Sequence, residues 1–187
     1  LLHELISSDA KTITCLVRAK SQAEAQKRLQ TLLYYYFASA YRDLFESGRL
    51  QVINGDVSDD LCSVFDNSAV EVNTVFNCAA IVKHFSKDND IERVNVDGTQ
   101  RCVDFCLKTG AKLIQVSTVS VGGFLTHGET ADKAILNEQR LFMNQYLGNQ
   151  YTLSKFLSER IVLDSVATKG LVAKVMRVGN LAARSTR

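Results

Sequence analysis

Tyr151 and Lys155, four residues apart, follow an apolar run, Leu113-Ile114-Gln115-Val116, that ends in Ser117-Thr118. A phenol, an ammonium and a hydroxyl are thereby brought within reach of one another. Together they are equipment for giving a proton to a carbonyl oxygen as hydride reaches its carbon. On a helix, positions four apart share a face, so a cationic Lys155 can sit near the Tyr151 oxygen and favour its ionised form. A phenol ordinarily has a pKa of about 10, and a nearby cation is expected to move it toward working pH.

Such residues need a scaffold, and the pattern along the chain supplies one. Apolar runs with β-branched residues alternate with longer amphipathic stretches, the signature of a parallel sheet wrapped by helices. Strands are expected over 12–17, 50–54, 74–78, 112–116 and 171–176, and helices over 22–46, 91–108 and 150–167. Gly110 and Gly170 fall just past two of those helices, where a left-handed cap is expected. The segment 129–148 is polar, has no strand character and reads as a surface excursion before the tyrosine helix. Tyr34-Tyr35-Tyr36-Phe37 reads as helix packing rather than a stacking platform.

The chain of 187 residues with 46% hydrophobic content is enough for one domain with a sizeable core. A net charge of +2, from 22 basic and 20 acidic residues, leaves no broad footprint for nucleic acid or anionic lipid. The five cysteines, Cys15, Cys62, Cys78, Cys102 and Cys106, are scattered and never form Cys-x-x-Cys, so they read as reduced, buried thiols of a cytoplasmic protein. Cys102 and Cys106 share a helical face, but no further Cys or His accompanies them at ligand spacing, and no metal site is expected. No signal segment and no apolar run near 18 residues occur, so neither secretion nor a membrane span is indicated.

In an open parallel sheet, ligands lie beyond the carboxyl ends of the strands. The first strand ends Val17-Arg18, with no acid to accept from a ribose 2'-hydroxyl; a guanidinium there suits a 2'-phosphate and favours NADP over NAD. The second ends Asn54-Gly55-Asp56-Val57, where a carboxylate can accept from an exocyclic amine and Val57 can pack on a purine. The third ends Asn77-Cys78-Ala79-Ala80, small enough for backbone to approach a cofactor. Asn95-Val96-Asp97-Gly98-Thr99 lies within a helical pattern, where glycine costs about 1 kcal/mol relative to alanine and so signals close packing. Taken singly, each has a plain alternative: a solvated arginine, a turn, or core packing.

In this order and at these intervals, the features resemble the extended short-chain dehydrogenase/reductases. Within them, Cys15-Leu16-Val17-Arg18-Ala19, Val116-Ser117-Thr118-Val119-Ser120-Val121-Gly122, Tyr151-Thr152-Leu153-Ser154-Lys155-Phe156 and Arg177-Val178-Gly179-Asn180-Leu181 are similar to the thioester reductase branch. That branch comprises terminal reductase domains of nonribosomal peptide synthetases, carboxylic acid reductases and α-aminoadipate reductases. The resemblance implies a Rossmann-like, doubly wound α/β fold binding NADPH, with Thr118, Tyr151 and Lys155 as catalytic residues. It further implies Arg18 and Arg28 at the 2'-phosphate, Asp56 and Val57 beside adenine, Ala79, Ala80 and Ile81 along the ribose and pyrophosphate, and Gly179 and Asn180 near nicotinamide. Tyr151 would protonate the developing oxyanion, Lys155 would hold the nicotinamide ribose, and Thr118 would hydrogen-bond the same oxygen. The partner implied is a carrier domain bearing an acyl or peptidyl group on phosphopantetheine.

One departure stands out: the family's first strand and glycine-rich turn are absent, and Leu1 to Ile6 match the latter part of the helix that would follow. A chain without proline or starting methionine is expected to begin inside a larger protein, with residues 1–187 a partial reductase domain and the substrate region mostly beyond 187. The alternatives are a fatty acyl-CoA reductase, a nucleotide-sugar epimerase or dehydratase, and a non-catalytic NADP-binding scaffold.

Overall fold

Parallel pairing of the β-branched runs organises each part of the chain. The computed structural model describes residues 1–66, 70–125 and 138–179, which divide into the units Leu1–Asp56 and Val57–Arg187. In the first unit, a helix Leu2–Ser7 (α1) precedes strand Ile13–Val17 (β1), helix Gln22–Phe37 (α2), a 3-10 turn Ala38–Tyr41, helix Arg42–Glu46 (α3) and strand Leu50–Asn54 (β2). β1 and β2 run parallel, Ile13 opposite Leu50 through Val17 opposite Asn54. Ser21 caps α2 by accepting from the Glu24 amide at 3.2 Å. The helix buries Ala25, Leu29 and Leu33, four residues apart, and the last two join Ile13, Tyr41 and Leu50 in the core. Arg49 satisfies carbonyls at the end of α1, donating to Ile6 and Ser8 at 2.8 and 2.7 Å.

Two expectations for this unit are corrected. The single helix over 22–46 is broken, because Ala38 takes φ 54° and the chain re-enters through a 3-10 turn. The tyrosine run is not packing: Tyr34, Tyr35 and Tyr36 are 67, 78 and 68% exposed, since they lie off the Ala25/Leu29/Leu33 face. Phe37 alone of the four packs against the core.

In the second unit, helix Leu61–Asp66 (α4) and strand Thr74–Asn77 (β3) precede a π-helical stretch Glu92–Asp97 that runs into helix Gly98–Thr109 (α5). Strand Lys112–Thr118 (β4), a 3-10 turn Val119–Gly122 and the short strands Phe124–Leu125 (β5) and Gln145–Tyr146 (β6) follow, then helix Gln150–Lys169 (α6) and strand Ala173–Val178 (β7). The sheet order is β3-β4-β7, all parallel, and Ser117 and Thr118 pair with Arg177 and Val178. Gly110 and Gly170 end α5 and α6 with φ 76° and 73°, as expected. Gly98 meets the close packing inferred for it: a Cβ there would stand 2.9 Å from Val57 Cγ1.

Segment 129–148 needs a correction, because its described part carries β6, antiparallel to β5; residues 129–137 lie outside the described residues. The thiols also differ from expectation. Cys102 and Cys106 are buried, Cys15 and Cys62 half-buried, and Cys78 exposed. Among the described residues, no helix is long and apolar enough to cross a membrane, and no three metal-binding side chains cluster.

Candidate active site

The second unit builds its site where β3 and β4 end and α6 begins. At the end of β3, the buried Asn77 donates to Gln115 Oε1 at 2.9 Å and accepts from the Ala79 amide at 3.2 Å, fixing the second residue of the following loop. Asn95, in the π-helical stretch, fixes the fourth: it accepts from the Ile81 amide at 2.7 Å and donates to the Ile81 carbonyl at 3.0 Å and to Ser154 Oγ at 2.8 Å. A π-helical insertion re-aims backbone groups, and here the Asn95 carbonyl accepts from both Thr99 and Ser158 at 2.7 Å. The small, half-buried pair Ala79 and Ala80 is thus held between two buried amides.

Helix α6 starts at Asn149, whose Oδ1 accepts from the Thr152 amide at 2.9 Å. Its buried face is polar, made of Thr152, Ser154, Lys155, Ser158, Glu159 and Ser165 with Val162. Lys155 is buried and its Nζ donates to the Val116 carbonyl of β4 at 2.5 Å. Two residues on, Thr118 is buried at the strand's end, its Oγ1 accepting from the Ser120 amide at 3.2 Å. Between them, Ser117 Oγ donates to Glu159 Oε1 at 2.5 Å, and Arg177 of β7 grips the same carboxylate through Nε and Nη2 at 3.0 and 2.8 Å.

The electrostatics correct one expectation. Partial burial pushes the Tyr151 phenol above its ordinary value of 10 rather than below it, so the side chain holds its proton at neutral pH. Burial also lowers Lys155 from 10.5, while Glu159 and, less strongly, Cys78 act to raise it. The lysine amine donates to the Val116 carbonyl, and burial is the cause behind the Tyr151 direction.

In the first unit, a cavity of about 270 Å³ is lined by Leu16, Val17, Arg18, Arg28, Leu29 and Leu32. Arg28 Nη1 donates to the Arg18 carbonyl at 2.8 Å, and Arg18 pairs with Asp56 at 3.4 Å. Both arginines are exposed. An apolar cavity rimmed by two guanidiniums has the donor set for an adenosine phosphate.

The expected residues are therefore brought together in two groups. Arg18, Arg28 and Asp56 belong to the first unit; Val57, Ala79, Ala80, Ile81, Thr118, Tyr151, Lys155 and Gly179 belong to the second. Asn180 lies outside the described residues. Sequence reasoning passed over Glu159, whose signal was its place one turn beyond Lys155 on the same helical face.

The protein-family profile described as Male sterility protein, an NAD-binding family, matches residues 1–187. The chain is 31% identical over 196 residues to the nonribosomal peptide synthetase asaC of Aspergillus flavus, covering all of this chain and 19% of that protein. Among solved structures, a thiolation-reductase di-domain from an archaeal nonribosomal peptide synthetase is similar at 38% identity and TM-score 0.85, over 98% of this chain and 49% of that one. The aureusimine biosynthetic cluster reductase domain is similar at 32% identity and TM-score 0.75, over 94% and 44%. The chain thus spans about a fifth of the curated relative and about half of each solved one.

Proposed function

The chain belongs to the Male sterility family of NAD-binding domains, and from that membership we propose that it acts in NADPH-dependent reductive release of a carrier-bound acyl or peptidyl thioester as an aldehyde. What supports the reading is one arrangement: the Lys155 amine bonded to β4 at Val116, two residues before Thr118, on the helix that carries Tyr151 one turn earlier. Similarity to a thiolation-reductase di-domain of a nonribosomal peptide synthetase supports the choice of a carrier-bound substrate.

A bound dinucleotide would supply the hydride. In the first unit Arg18 and Arg28 would take a 2'-phosphate through charge-assisted hydrogen bonds and Asp56 would accept from an exocyclic amine; in the second, Val57 would pack on a purine. Ala79, Ala80 and Ile81 would line the ribose and pyrophosphate, with Gly179 toward the nicotinamide. Lys155 holds the nicotinamide ribose. Tyr151, protonated at neutral pH as an ordinary phenol is and pushed further that way by burial, gives its proton to the thioester oxygen as the carbonyl becomes tetrahedral, and Thr118 donates a hydrogen bond to that oxygen. The resulting hemithioacetal collapses to an aldehyde and the carrier thiol.

Tyr151→Phe tests this. In the full-length protein, thioester-dependent NADPH oxidation should fall by about 10²–10⁴-fold, the usual worth of a positioned acid, while NADPH affinity measured by fluorescence stays nearly unchanged. Full activity in the variant would remove Tyr151 as the acid.

A further inference from the structure

The loop that leaves β3 is pinned at two points by hydrogen bonds to its backbone. Asn95 accepts from the Ile81 amide at 2.7 Å and donates to the Ile81 carbonyl at 3.0 Å. Further on, the Gln150 amide donates to the His84 carbonyl at 3.1 Å, and Gln150 Oε1 accepts from the Ser86 amide at 2.7 Å. Both anchors lead to the start of α6: Asn95 also bonds Ser154, and Gln150 immediately precedes Tyr151. Residues 82–85, which the anchors bracket, are all exposed, and two of them are large and apolar, Val82 at 67% and Phe85 at 70%. At the end of β4, Val119 follows Thr118 directly and is 45% exposed, in a turn tied down by Gln145, which donates to the Val121 carbonyl at 2.9 Å.

An apolar side chain standing alone on a surface needs no explanation. These three share a place: they follow the carboxyl ends of β3 and β4, where an open parallel sheet receives its ligands. Their backbone is also fixed, so they are not free to fold back against the protein, and the helix they would meet buries a polar face. We propose that Val82, Phe85 and Val119 receive the apolar part of the substrate, gripping the acyl or peptidyl chain beside the thioester and setting a preference for long hydrocarbon groups over short ones. The proposal rests on the reading of Tyr151 and Thr118 as the residues that serve the thioester oxygen. One of the three adjoins Thr118 in sequence, and the other two lie on the loop that Gln150 ties to the turn of Tyr151. The pantetheine arm, rich in amides, is the poorer match for three hydrocarbon surfaces; the apolar acyl chain is the better one.

Two probes that cannot be reduced, the octyl and ethyl thioethers of pantetheine, test this by calorimetric titration of the full-length protein. The wild type should bind the octyl probe more tightly than the ethyl one. The double variant Val82→Ser, Phe85→Ser should weaken octyl binding by roughly tenfold or more, while affinity for the ethyl probe and for NADPH stays within about twofold. Val119→Ser should act in the same direction by a smaller factor. Phe85→Leu, which keeps hydrocarbon at the position, should retain most of the octyl preference, a rescue that a merely structural role would not give. A wild type that does not distinguish the probes overturns the proposal, as does an unchanged octyl-to-ethyl ratio in the double variant. An equal loss for both probes and NADPH also overturns it, since that marks a loop that has lost its shape. Calorimetry needs no turnover, so failure of the reductase reading, seen as wild-type protein that oxidises no NADPH with octanoyl-pantetheine, is told apart from failure of these three residues to hold the chain.

Discussion

The two units each carry an arginine–carboxylate pair, and the pairs are opposites. Arg18 and Asp56 meet at 3.4 Å with side-chain exposures of 66 and 18%, while Arg177 and Glu159 meet at 2.8 Å with 15 and 1%. The first is a loose contact in high dielectric, worth about 0–1 kcal/mol, and its guanidinium can exchange a carboxylate for a phosphate at little cost. The second is multiply hydrogen-bonded and dry, so its guanidinium is committed to the protein. Position in the fold, rather than residue type, separates an arginine left open to exchange its partner from one committed to its neighbour.

The comparison breaks most visibly at Arg177. Arg177→Leu strands a buried carboxylate and should cost about 3–5 kcal/mol in urea unfolding of the full-length protein, whereas replacing Arg177 and Glu159 together by apolar residues should cost far less. Arg18→Ser should leave folding nearly unaltered but raise KM for NADPH by roughly ten- to a hundredfold, the worth of one or two charged hydrogen bonds, with KM for NADH little changed. An equal change for both coenzymes would refute the phosphate role. The smallest effect belongs to Asp56→Asn, which should shift unfolding by less than about 1 kcal/mol, a difference that fades as salt is raised.

Much of this was legible in the chain. Strand 50–54 has its expected bounds, and the other strands agree to within two residues at either end, because β-branched runs closed by glycine or polar residues leave little choice. The motifs also pointed to the thioester reductase family, and the whole-length similarity to reductase domains agrees. What was missed has physical reasons. The break in the helix at Ala38 carries no glycine or proline to announce it. β5 and β6 are two residues each, too short for an alternating pattern. Helix α6 buries a polar face, so amphipathic spacing could not reveal that Ser154, Ser158 and Glu159 point inward. Those are positions where local rules give way to the demands of a site.

The single carboxamide of Asn95 ties the loop following β3 to the helix of Tyr151 through Ile81 and Ser154. Prising the two apart would leave several inward-facing polar atoms without partners, at about 1–3 kcal/mol each. The second unit is therefore preset, and a ligand entering there spends little of its binding energy on assembling the walls that receive it.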